Sequence, residues 1–92
     1  MEIQHLENGT KGKFYITLNG KAAAEMTYVW VGSSKFIIEH TEVDELLKGK
    51  GAGKQMLQKA VEFARTKGVK IIPLCPFAKS VFDKVDSFKD VL

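Results

Sequence analysis

Three places in the 92-residue chain carry groups suited to chemistry: the segment Lys48-Gly49-Lys50-Gly51-Ala52-Gly53-Lys54, the single cysteine Cys75, and His40. Alternate glycines let a backbone approach a ligand closely, and where they lead into a helix its first amides are unpaired and point outward. Such an N-terminus suits phosphate. Spacing narrows the choice. A P-loop needs glycine where Lys48 stands and Ser or Thr where Gln55 stands, and a dinucleotide fingerprint needs a third glycine where Lys54 stands.

Cys75 ends a strand-like segment and directly precedes a helix-like one. The positive end of a helix dipole and nearby lysines favour the thiolate, the nucleophilic form, so acyl transfer through an acyl-cysteine is open to it. The competing reading is a small core residue beside Leu74. His40 titrates near neutral pH and suits a general base, whereas its alternation with Phe36 and Ile38 fits a core or edge histidine equally well. Glu39, Glu42 and Asp44 are further candidate bases, each also readable as solvated. His5 has no Cys or His at ligand spacing, and no metal site is expected.

The elements that must position these residues read as strands first, then helices. Ile3 to Glu7 forms a short strand ended by the turn-prone Asn8-Gly9-Thr10-Lys11-Gly12. Phe14, Ile16 and Leu18 alternate with polar residues, and Asn19-Gly20 predicts a two-residue hairpin turn into a strand from Lys21 to Val31. Lys35 to Thr41 is a further strand with Phe36, Ile38 and His40 on one face. Leu57, Ala60, Val61 and Ala64 fall at i, i+3, i+4 and i+7, so a helix over about Gly51–Lys67 buries a stripe and stops at Gly68. Arg65 and Lys67 stand favourably at its negative end. Val69 to Leu74 follows as a strand, making a βαβ crossover whose last strand is parallel to an earlier one. Pro73 cannot donate to a ladder, so pairing fails on one side there. A shorter helix starts near Pro76, and Asp86 to Leu92 stays unassigned. The expected class is α+β, helices packed on a mostly antiparallel sheet.

With Lys48, Gly51 and Gly53 at its spacing, the glycine segment resembles the pyrophosphate loop of the GCN5-related N-acetyltransferase superfamily. His40-Thr41-Glu42-Val43 before it and Pro73-Leu74-Cys75-Pro76-Phe77 after the helix resemble the small one-domain branch of that superfamily, and the resemblance covers nearly the whole chain. It implies a minimal acetyltransferase fold, an antiparallel meander plus a βαβ crossover with splayed strands and two helices. It also implies acetyl-coenzyme A as cofactor. The loop formed by Lys48, Gly49, Lys50, Gly51, Ala52, Gly53 and Lys54 would hold the pyrophosphate, chiefly through the amides of residues 50–54, and the backbone of Val43 would pair with the pantetheine arm. Cys75 takes the place of that branch's proposed catalytic cysteine. Lys48 stands where Arg or Gln is usual and lacks the planar fork of arginine. The two helices that larger relatives insert after the first strand have no room between Glu7 and Lys13, and their last two strands have little room after Val85. A shallow acceptor side follows.

Length and composition bound the rest. Ninety-two residues make one domain, 1–92, with few residues left over for specificity. No apolar run approaches the roughly 18 residues of a membrane span and the N-terminus lacks a signal-peptide pattern, so a cytoplasmic protein with no membrane partner is expected. A lone cysteine agrees with a reducing compartment. The net charge of +3 is too small and too scattered for a nucleic-acid face. Gly9-Thr10-Lys11-Gly12 matches the GxxG loop of an RNA-binding KH domain but joins strands rather than helices. The expected function is transfer of an acetyl group from acetyl-coenzyme A to a small or generic amine, by a monomer or weak homodimer, directly or through Cys75 with His40 as base. A non-catalytic coenzyme A-binding module is the alternative.

Overall fold

The computed structural model describes residues 1–92. Strands β1 (Gln4–Glu7), β2 (Lys11–Leu18), β3 (Lys21–Val31) and β4 (Lys35–Val43) form an antiparallel meander. A 3₁₀ turn (Glu45–Leu47) and the glycine segment then lead into α1 (Ala52–Lys67). The chain returns as β5 (Lys70–Pro73), parallel to β4, and closes with α2 (Pro76–Lys84) and a 3₁₀ segment (Asp86–Val91). The sheet order is β1-β2-β3-β4-β5. The fold is therefore the α+β arrangement that the periodicities predict. No helix is long and apolar enough to cross a membrane.

Local signals account for these elements. Asn19 (φ 52°) and Gly20 (φ 79°) both take the left-handed conformation that a type I′ turn requires. On α1, Met56, Leu57, Ala60, Val61 and Ala64 are fully buried, and the helix stops where Val69 N–H donates to the Ala64 carbonyl around Gly68. These side chains meet Phe14, Met26, Tyr28, Phe36, Ile38 and Ile71 from the sheet and Val81 and Phe82 from α2 in one core. No residue of the opposite sheet face is buried, so both helices pack on the same side and the other face is bare.

Two features were not visible in the periodicities. The unassigned tail docks: Phe88 and Val91 enter the core, and Arg65 grips the tail through two bonds to the Asp90 carboxylate (2.9 and 2.7 Å) and one to the Ser87 carbonyl. Asp90 holds the Arg65 guanidinium above its usual range, and Arg65 holds the Asp90 carboxyl below the usual carboxylate range. At the other edge, the Tyr28 hydroxyl donates to Glu7 Oε2 (2.7 Å) and lies 2.5 Å from His5 Nε2, while Trp30 Nε1 donates to the same carboxylate. Gly12 makes room for this: a Cβ there would stand 2.5 Å from the Tyr28 hydroxyl oxygen and 2.7 Å from the Leu6 carbonyl oxygen.

Candidate active site

The site is built where β4 and β5 part. Their pairing runs from Lys35–Lys70 to Ile38–Pro73 and ends on one further bond, Cys75 N–H to the Ile38 carbonyl (3.0 Å). Pro73 offers no N–H, and at the same level β4 carries a bulge: Tyr28 pairs with Ile38 and Thr27 with His40, leaving Glu39 unpaired. Beyond it, residues 40–43 pair with β3 alone. Asp44 N–H donates to the Ala23 carbonyl on β3, so alternation along the strand turns the N–H and C=O of Val43 toward the gap.

The bulge also reverses which β4 side chains face the helices. Phe36 and Ile38 are buried, but after Glu39 the helix-facing residues are Thr41 and Val43, opposite Met26 and Ala24. His40 is exposed on the bare face beside Thr27, not on the face of Phe36 and Ile38 as simple alternation predicts. Thr41 takes its place in the cleft. Cys75 Sγ lies 3.4 Å from Thr41 Oγ1.

Cys75 is 5% exposed and is the N-cap of α2, with Pro76 at the first helical position. Burial alone would push its thiol up. The hydrogen bond between the thiol and the Thr41 hydroxyl, together with the amides of Ala78 and Phe77 left unpaired at the positive end of α2, outweighs it, and the thiol is held below its ordinary value, although the sulfur makes no capping hydrogen bond to those amides. A cysteine that is both buried and biased toward thiolate is equipped as a nucleophile, and its burial matches the core reading as well.

At the other end of the gap lies the glycine loop. The Asp44 carboxylate accepts from Leu46 N–H, and the amides of Lys48 and Lys50 close turns onto the carbonyls of Glu45 and Leu47. The Lys50 amide, expected among the phosphate donors, is thus engaged within the chain. Gly51 (φ 75°) is the left-handed N-cap of α1, and no side chain caps the helix. The first helical bond is Gln55 N–H to the Gly51 carbonyl, which leaves the amides of Ala52, Gly53 and Lys54 as the helix's free donors. The first turn holds no acid. Lys50 and Lys54 crowd its positive end without an ion-pair partner, while Lys48 pairs with Glu45 (3.0 Å). Cations at a helix N-terminus are unfavourable unless an anion joins them. These residues therefore fit the diphosphate of a coenzyme.

Comparison with known proteins agrees. The family model for GCN5-related N-acetyl-transferase matches residues 13–91. The chain belongs to this family, GNAT for short. A GCN5-like protein of Staphylococcus aureus, proposed to be an N-acetyltransferase, is 40% identical to this GNAT chain, with a TM-score of 0.72 over 98% of this chain and 85% of that one. The ribosomal-protein-alanine N-acetyltransferase of Brucella melitensis shares the fold at 12% identity and a TM-score of 0.70, over 85% of this chain and 62% of that one. An aminoglycoside 6′-N-acetyltransferase complexed with coenzyme A shares it at 9% identity and a TM-score of 0.59, over 70% of this chain and 37% of that one. No curated protein matches. The GNAT chain thus spans most of the staphylococcal protein and less than two thirds of the two larger enzymes.

The structure brings Cys75 and Val43 to one gap and places the glycine loop after it, and it sets His40 on the far face. Thr41 lies inside the quoted His-Thr-x-Val segment, yet only the bulge reveals its role.

Proposed function

We propose that this chain transfers an acetyl group from acetyl-coenzyme A to a small or generic amine, with Cys75 as acyl carrier. The observation supporting this is that one gap in the sheet has a diphosphate-suited loop following one of its strands and a thiolate-biased cysteine following the other. Bound there, the coenzyme supplies an activated acetyl thioester. The amides of residues 51–54 hold its pyrophosphate, the backbone of Val43 pairs with the pantetheine arm, and Pro73 keeps β5 from closing the gap. Cys75 gives up its proton and takes the acetyl group on Sγ as the thioester C–S bond breaks and the coenzyme leaves as a thiol after taking up a proton. An unprotonated amine nitrogen then takes the acetyl group, and the Cys75 thiolate is regenerated. The Thr41 hydroxyl donates to the sulfur in its thiolate state. His40 is exposed on the bare face and out of direct reach of the sulfur, so it takes up the amine's departing proton through solvent. A cavity of about 360 Å³ beside Val43, lined also by Glu25, Glu42 and Asp44 and by no cation, favours an amine that arrives charged.

The test is intact-mass analysis after incubation with labelled acetyl-coenzyme A, alongside an acceptor screen of polyamines, amino acids and peptide N-termini. One acetyl group on wild type and none on Cys75→Ala supports the carrier role. Amine turnover by Cys75→Ala at the wild-type rate would make transfer direct and Cys75 structural. Coenzyme binding with no turnover of any amine would leave a binding module.

A further inference from the structure

Phe77 is the second residue of α2 and Gly53 the second residue of α1. The Phe77 ring lies so close to Gly53 that a Cβ there would stand 2.5 Å from Cζ and 2.8 Å from Cε2. Gly53 has no left-handed backbone, so its bare Cα is required by this ring and not by its conformation. The same Phe77 contributes one of the two amides that the first bond of α2, Lys79 N–H to the Cys75 carbonyl, leaves free at the helix end where Cys75 is the N-cap, and the sulfur makes no capping bond to them. One residue thus touches the coenzyme loop with its side chain and offers a free backbone amide at the helix end that carries the thiol. Although its ring makes this contact, Phe77 remains 37% exposed, so it fills no sealed part of the core.

We infer that Phe77 is a positioning residue that couples the two ends of the cleft: an anion ordering the amides of residues 51–54 fixes Gly53, Gly53 fixes the ring, and the ring aims the Phe77 and Ala78 amides at Cys75 Sγ. The inference rests on the coenzyme reading of the loop. It adds that occupancy of the loop activates the thiol before any acyl group reaches it, so a thiol without coenzyme is held less reactive.

The probe is 3′-phospho-ADP, the nucleotide half of coenzyme A, which lacks the pantetheine arm and reaches Cys75 only through the protein. Its negative charge acting alone would disfavour the thiolate and slow alkylation. In the wild type, saturating nucleotide is expected to speed alkylation of Cys75 by iodoacetamide at neutral pH about fivefold, the low end of coupling between distinct sites, and to move the pH profile toward acid. In Phe77→Ala the nucleotide still binds, but the acceleration disappears. Gly53→Ala, which displaces the ring from the other side, loses it too. A purely structural role would lower stability in these variants and leave the nucleotide-dependent shift of the pH profile intact. Bound nucleotide with unchanged or slower alkylation in the wild type overturns the coupling and leaves the coenzyme reading standing. Full acceleration in both variants also overturns it. Failure of the nucleotide to bind wild type overturns both.

Discussion

Cys75 Sγ and Thr41 Oγ1 lie 3.4 Å apart across the gap where β4 and β5 separate, a pairing that exists only because the bulge at Glu39 turns Thr41 rather than His40 toward the helices. Thr41 can accept from the thiol and donate to the thiolate, so it favours the charged sulfur without itself titrating in the working range.

The first prediction concerns that hydroxyl. Thr41→Val keeps the shape and removes the donor, so the thiol pKa rises. The group is active when deprotonated, and alkylation therefore increases with pH through the thiol pKa and levels off above it. Wild type should reach its plateau at lower pH than an ordinary cysteine. Thr41→Val should shift the profile toward higher pH and cut the neutral-pH rate about tenfold, the order expected for losing one hydrogen bond to a charged group, while Thr41→Ser retains most of it. Alkylation rates measured across pH decide this, and coincident profiles for wild type and Thr41→Val would refute it.

Gly51 provides a second test. Its φ of 75° is the left-handed region, costly for any residue with a Cβ. Gly51→Ala should lose about 1–2 kcal/mol in denaturant unfolding. It should also weaken coenzyme A binding about tenfold, or about 1.4 kcal/mol, because the turn that aims the α1 amides is altered. Unchanged stability would show that the turn relaxes freely.

The remote edge of the sheet offers a third. Gly12→Ala places a Cβ against the Tyr28 hydroxyl and the Leu6 carbonyl, and backbone cannot step aside as a flexible side chain can. Overpacking of this kind costs about 1–3 kcal/mol, and loss of the Tyr28–Glu7 bond adds to it. Thermal unfolding measures the loss. Cofactor affinity should change little, since β1 and β2 contribute no residue to the proposed coenzyme contacts.

How far the sequence reveals all this depends on the length of the signal. The α1 stripe spans four turns and the Asn19-Gly20 turn is nearly unambiguous, so the meander and the crossover are legible. Glu39-His40 is not. Both residues are polar, so alternation gives no sign that one of them has dropped out of register, and His40 is assigned to the wrong face. The tail fails for a different reason: Phe88 and Val91 are two apolar residues among charged neighbours, too few to establish a period, and their docking depends on Arg65, 25 positions before Asp90. In the glycine loop the spacing suggests that every glycine serves the ligand. The fold assigns Gly51 to conformation and Gly53 to the Phe77 ring, a neighbour that only the crossover brings near.

The central claim is that the glycine loop and the β4–β5 gap hold coenzyme A, and the most direct test is titration of isotope-labelled protein with coenzyme A while its backbone amide signals are followed. Saturable shifts centred on Gly51, Ala52, Gly53 and Lys54 and extending to Val43, with the signals of the bare sheet face unmoved, are the expected result. No shift at millimolar coenzyme A, or shifts confined to residues outside the gap, would contradict it.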